Sequence, residues 1–137
     1  MWRNIVEISR LRNLVIAGLT VPLGSHIGIS GFWDIQHGIN SVIAMFSVMF
    51  FMAAGNILND VGDIEIDRKA HPSRVIPSGR MSLELAKRWA LLFSLLSLSF
   101  MSILLLRTEH FSAVIIWVAA AILMITYDHG PKTKNHG

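Results

Sequence analysis

INSVIAMFSVMFFMAAGNILNDVGDIEID, residues 39–67, joins twenty residues without an ionisable side chain to nine that hold four acids. Roughly twenty apolar residues are what an α-helix needs to cross a hydrocarbon core of about 30 Å. Charge at the edge of hydrocarbon is unfavourable, so the acids call for a reason. Continuing the helix at about 100° per residue from Asn56 puts Asp63 near about −20°, Asp67 near about +20°, Asp60 near about +40° and Asn59 near about −60°. Glu65 falls on the opposite side. Three carboxylates and two amides therefore share one face. Like charges at this spacing repel, more so in a low dielectric. Such a face is expected to hold a cation, and Mg²⁺ is the natural candidate because it takes oxygen ligands and bridges carboxylates to phosphate. The plainer alternative is a helix end whose acids simply face water.

Working outward, the whole chain has the composition of a membrane protein. It is 53% hydrophobic and only 15% charged. Four runs lack Lys, Arg, Asp and Glu and approach the span of a bilayer: residues 14–33, 39–58, 90–106 and 111–127. The expected fold is all-α, an integral membrane bundle of four transmembrane helices. Pro22 interrupts the first span and the last two are short. His26 could line a cavity or be a buried, hydrogen-bonded histidine. Ser94, Ser97, Ser99 and Ser102 suit helix packing.

Eleven of the twelve basic residues fall before span one, between spans two and three, or after span four; Arg107 is the exception. By the positive-inside rule, both termini and the motif loop, residues 59–88, are expected on the cytoplasmic side of a multi-pass cell-membrane protein. The net charge of +3 is then topological. No basic stripe interleaved with aromatics points to nucleic acid. Without cysteine there is no disulfide, thiol nucleophile or Cys-based metal site.

Arg68, Lys69, Arg74 and Arg80 follow the acids closely, punctuated by His71-Pro72 and Pro77-Ser78-Gly79. The prolines bar a continuous helix, so this is expected to be a shaped basic loop. Cations beside a metal-binding acidic face suit a diphosphate: the metal neutralises some oxygens and arginine forks grip others. Ordinary positive-inside residues would account for the charge but not for the Pro and Gly.

The run AAGNILNDVGDIEIDRKAHPSRVIPSGRMS, residues 53–82, resembles the first aspartate-rich motif, N-D-x-x-D-x-x-x-D, of the UbiA-type intramembrane prenyltransferases. Its GN, ND, EID and IPSGR elements resemble most the branch that makes archaeal ether lipids. The resemblance implies a Mg²⁺-dependent transferase moving a polyprenyl group, geranylgeranyl in that branch, from its diphosphate to a lipid-precursor acceptor, a glycerol-phosphate ether. It implies that Asn56, Asn59, Asp60, Asp63 and Asp67 form the first metal–diphosphate site, with Asn59 and the three aspartates on the metal. Arg68, Lys69, Arg74 and Arg80 would support the diphosphate. Arg10 and Arg12 would either hold the acceptor's phosphate or anchor the interface.

The family carries more spans and a second acidic motif, whereas no D-x-x-x-D pair follows Asp67. The chain is therefore expected to be the N-terminal half of one prenyltransferase domain, needing a C-terminal half or self-association. Transfer to an aromatic or tetrapyrrole acceptor, and an inactive remnant or membrane interaction module, remain open. A CDP-alcohol phosphotransferase would need a D-G-x-x-A-R opening, which is absent. A soluble-type prenyl diphosphate synthase is excluded by hydropathy.

Overall fold

A computed structural model describes residues 1–28, 34–109 and 111–129, and every regular element in it is helical. The chain runs through α1 (Trp2–Ser9), α2 (Leu11–Gly28), α3 (Ile35–Gly62), α4 (Ile64–Ala70), α5 (Leu83–Thr108) and α6 (Phe111–His129). The last residues of the expected first span and the tail holding Lys132 and Lys134 lie outside the described residues.

Local chemistry sets the helix ends. The Asp34 carboxylate accepts the His37 N–H at 2.8 Å and opens α3. Ser82 opens α5 in the same way, its hydroxyl accepting from Leu85 N–H at 3.2 Å; both are side-chain caps that satisfy an orphan donor. The corner between α1 and α2 is Arg10, at φ 57° and ψ 55°, whose N–H reaches the carbonyls of Glu7 and Val6. Pro72 and Pro77 keep residues 71–82 irregular, and Gly79, at φ 77°, takes a left-handed conformation open to glycine.

Helical structure reaches further than the apolar runs. Residues 39–58 and 90–106 become helices of 28 and 26 residues. Most of the expected loop 59–88 is helical too: its start closes α3 and forms α4, and its end opens α5. Polar residues extend a helix as readily as apolar ones once a cap is in place, so the end of hydrophobicity is not the end of the helix. Among the described residues, two helices, Ile35–Gly62 and Leu83–Thr108, are long and apolar enough to cross a membrane; α6 contributes a shorter apolar stretch, Val114–Met124.

The most extensive packing is α3 against α5. At its centre Ser47 and Ser97 are fully buried. Each hydroxyl donates to the other's backbone carbonyl, at 3.0 and 2.8 Å, and the Trp117 indole N–H of α6 donates to Ser97 Oγ at 3.0 Å. Small residues let the backbones approach and leave no unpaired hydroxyl. Ser94, Ser99 and Ser102 instead donate to carbonyls of their own helix. Gly18 of α2 gives the same closeness against Met49, where a Cβ would come within 2.6 Å of Sδ.

One buried cluster, Ile5, Ile8, Ile57, Val75, Ile76 and Met81 with Ala86 and Ala90, lies where α1 and the 71–82 segment meet the ends of α3 and α5. Elsewhere apolar side chains such as Leu91, Leu95, Ile115, Ile116 and Leu123 point outward. His26 is exposed as well. The core thus sits at the motif end, and holds the acids in place.

Candidate functional site

The acid motif does not form one continuous helix. α3 stops at Gly62, Asp63 caps it with its N–H on the Asn59 carbonyl at 2.9 Å, and α4 restarts at Ile64. Asp60 and Asp67 are nevertheless both drawn inward, with side chains 12% and 4% exposed. Glu65 points away and pairs with Arg68 at 2.9 Å in solvent, as the helical projection requires.

Arginines answer the two buried acids. Arg74 Nη1 donates to both oxygens of Asp67, at 2.8 and 2.7 Å, and lies 3.9 Å from Asp60. Arg10 Nη2 donates to Asp60 Oδ1 at 2.8 Å. The result is an alternating line, Arg10, Asp60, Arg74, Asp67. The hydrogen bond to Asp67 holds the Arg74 guanidinium above its ordinary pKa, with the charges of Asp67, Asp60 and Asp63 adding to it. Asp63, half-buried, thus lies within the field of the same arginine.

Of the expected metal set, Asn59, Asp60, Asp63 and Asp67, the structure gives Asp60 and Asp67 each an arginine partner. Among the described residues no group of three or more Asp, Glu, His or Cys side chains is placed to hold a metal ion. The physical reason is the arginine line: repulsion between acids calls for positive charge, and the chain supplies it from Arg10 and Arg74. The donor chemistry, carboxylates with a neighbouring amide oxygen, still suits a hard divalent cation.

The remaining candidates divide. Asn56 faces α1, its amide donating to the Ser9 carbonyl at 2.9 Å. Arg80 grips both oxygens of Glu7 at 2.7 Å and the Ser73 carbonyl at 2.8 Å; its own carbonyl accepts from Asn4 at 2.9 Å. The hydrogen bonds from the Arg80 guanidinium hold the Glu7 carboxyl below its usual pKa. Arg12, Arg68 and Lys69 are exposed. The residues that reasoning from sequence missed are Asn4, Glu7 and the Ser9 carbonyl, all on α1. Apolar Ile5 and Ile8 beside charged Arg3 and Glu7 are the amphipathic signal that could have found this helix.

Alongside α1 runs an almost purely apolar groove of about 230 Å³, lined by Trp2, Val6, Leu14, Phe46, Phe50 and Phe93. Ser9, next to Arg10, lies on its wall. An ionic line and an apolar groove therefore adjoin.

Comparison with known proteins bears on this arrangement. Residues 16–136 match the UbiA prenyltransferase family. A digeranylgeranylglyceryl phosphate synthase of Pyrococcus furiosus is 33% identical over 134 residues, which cover 96% of this chain and 44% of that one. The enzymes of the same name from Methanosphaera stadtmanae and Methanocaldococcus jannaschii are 34% and 35% identical, over 94% and 70% of this chain but 43% and 33% of theirs. The chain thus spans less than half the length of these curated relatives. A solved structure, described as giving structural and mechanistic insights into the biosynthesis of digeranylgeranylglyceryl phosphate synthase in membranes, aligns with a TM-score of 0.81 at 31% identity, covering 93% of this chain and 43% of that one.

Proposed function

The chain belongs to the UbiA prenyltransferase family, and we propose that it forms one side of an intramembrane site transferring a polyprenyl group from its diphosphate to a lipid-precursor acceptor. The names of its relatives support geranylgeranyl as the group and a glycerol-phosphate ether of archaeal-type lipid synthesis as the acceptor. The observation that carries this reading is the line Arg10, Asp60, Arg74, Asp67 beside an apolar groove. A prenyl diphosphate has the same two-part chemistry, a strongly anionic head on an apolar tail.

In this reading the acids are the first metal–diphosphate site, with Asp60, Asp63, Asp67 and Asn59 as Mg²⁺ ligands. Bound Mg²⁺ would neutralise negative charge gathering on the departing diphosphate. Arg74, and Arg10 from the α1 corner, would grip phosphate oxygens and stabilise the same charge, electrostatic catalysis by cations already in place. Asn56 and Arg80 would act by fastening α1 and the 71–82 segment around the site; Arg68 and Lys69 would add only long-range positive charge. In the transfer the allylic C–O bond to diphosphate breaks, an ether bond to the acceptor hydroxyl forms, and the hydroxyl proton is released. Apolar walls keep water from the allylic carbon. Exposed Arg12 is the better placed of the two N-terminal arginines for an acceptor phosphate, since Arg10 already holds Asp60.

We place the chain in the cell membrane with four spans (α2, α3, α5 and α6) and with α1, the motif and both termini cytoplasmic. The split of basic residues supports this side. Single cysteines introduced into this cysteine-free chain would read it directly: outer-face labelling at residue 73 would reverse the orientation.

The activity test incubates membranes holding this chain, alone and with the C-terminal part of the Pyrococcus furiosus relative, with labelled geranylgeranyl diphosphate, Mg²⁺ and a panel of acceptors. The expected product is the ether of the glycerol-phosphate acceptor, made with the added part present. Transfer to a hydroxybenzoate, naphthoate or tetrapyrrole would redirect the assignment, and no transfer in any combination would overturn it.

A further inference from the structure

Along the line Arg10, Asp60, Arg74, Asp67, two guanidinium groups meet two of the three carboxylates on this face, at 2.8, 3.9 and 2.7 Å. A face of bare acids would draw in a cation unaided. In this one Asp60 and Asp67 already hold guanidinium partners. We propose that Arg10 and Arg74 are resident counter-cations that keep Asp60 and Asp67 from taking a divalent cation until a diphosphate arrives with it. The inference rests on the prenyl-diphosphate reading of this site.

Arg10 is built for exchange. It stands at φ 57°, the left-handed cap that ends α1. Its N–H is bound to the carbonyls of Glu7 and Val6, and the Ser9 carbonyl before it is tied to Asn56. The corner is fixed, yet the Arg10 side chain is 37% exposed, against 12% for Asp60. The backbone is pinned while the guanidinium has room to move.

A hard cation entering alone must displace a guanidinium from its carboxylate and leave that group facing a second positive charge. Mg²⁺, which gives up its water reluctantly, gains little from carboxylates already neutralised. A diphosphate changes the balance. It offers both guanidinium groups new oxygens to fork onto and shares the metal with the freed carboxylates. Metal and diphosphate should therefore bind with strong positive coupling, each raising the other's affinity by the same factor.

The test uses the full chain in nanodiscs with Mn²⁺ as a spectroscopic probe and geranylgeranyl thiolodiphosphate as a slowly reacting analogue. In the unaltered chain Mn²⁺ alone should bind weakly, and far more tightly when the analogue is present. Arg10→Gln should move the two affinities in opposite directions: Mn²⁺ alone about tenfold tighter, the analogue at saturating Mg²⁺ about tenfold weaker, each a change of about 1.4 kcal/mol. Arg10→Lys, which keeps the charge, should return both towards the original values. A residue that merely braced the corner would weaken both together, and that outcome overturns the proposal. So does Mn²⁺ binding as tightly to the unaltered chain without analogue as with it. Circular dichroism checks that Arg10→Gln keeps its helix content, and Arg74→Gln, which also removes a guanidinium charge, carries the same paired readings where it does not. Failure of every form to bind the analogue with metal would instead remove the prenyl-diphosphate reading, and this inference with it.

Discussion

Arginine makes ties at both ends of α3, with different partners at each. At the motif end Arg74 and Arg10 meet buried carboxylates, and those contacts join α1, α3, α4 and the 71–82 segment. At the other end Arg107, in the last turn of α5, donates to two neutral amides of α3, Asn40 at 2.8 Å and Gln36 at 2.7 Å. All three of those side chains lie at least partly in solvent. A charge paired with a charge under cover is strongly coupled to the fold, because losing one partner strands the other in low dielectric. A charge resting on amides in the open loses little, because water replaces what is removed. The same residue type is thus a keystone at one end and a tie at the other.

The strongest way to break this contrast is to remove Arg74. Arg74→Ala leaves Asp67, 4% exposed, without its guanidinium, and should destabilise the chain by about 3 kcal/mol, the low end for a broken buried pair because Arg74 itself is half in solvent. Asp67→Asn should behave similarly, while Glu65→Gln, on the exposed side, should be close to neutral. Thermal or denaturant unfolding in micelles checks the order. Equal effects at Asp67 and Glu65 would show that burial at the motif is not what matters.

Midway between the ends, the Ser47–Ser97 seam should give an intermediate result. Ser97→Val removes the donor to the Ser47 carbonyl and the acceptor of the Trp117 N–H, and adds volume where both serines are fully buried. Lost hydrogen bonds and overpacking together should amount to about 1–3 kcal/mol. Ser99→Val, whose hydroxyl bonds only its own helix, is the control and should change little.

The sequence revealed the helical class and the acid-facing geometry because both follow from short-range periodicity. Asp60 and Asp67 turn in and Glu65 turns out even though α3 breaks at Asp63, since the Asp63 N–H on the Asn59 carbonyl and the Asp67 N–H on the Asp63 carbonyl carry the i to i−4 ladder across it. What stayed hidden depends on partners distant in the chain. Arg10 is 50 positions from Asp60, and Glu7 is 73 from Arg80. No local pattern states that a guanidinium from the end of the first helix reaches the motif. α1 escaped for a related reason: eight residues are too few to register as a span, and amphipathic segments do not stand out in hydropathy. Asn56 shares the acids' face, and that position also suits the helix-to-helix tie it makes with the Ser9 carbonyl.

At the far end, Arg107→Gln should be tolerated. The substitution removes two exposed hydrogen bonds and a charge favourably placed at a helix C-terminus, and about 1 kcal/mol or less is expected. A loss as large as that at Arg74 would mean that the two arginines are equivalent and that the contrast between the ends is false.

The smallest effect belongs to Glu7 and Arg80, a charged pair like the motif's but exposed like Arg107. Glu7 is ionised more readily in the folded chain than in the unfolded one, chiefly because Arg80 donates to it. A carboxyl with a depressed folded pKa stabilises fully above its unfolded value, and that contribution fades as pH falls through the folded value. Stability should therefore be flat near neutrality and dip below the ordinary glutamate range, around pH about 4. Glu7→Gln should remove only the part of the acid slope that this pair supplies, so the measurement is the difference between the two proteins' melting curves as pH is lowered. Solvent screening keeps that difference small. A large one would mean that the strap between α1 and the 71–82 segment carries as much of the fold as the buried line beneath it. The decisive carboxylate would then be Glu7, on a helix outside the acid motif.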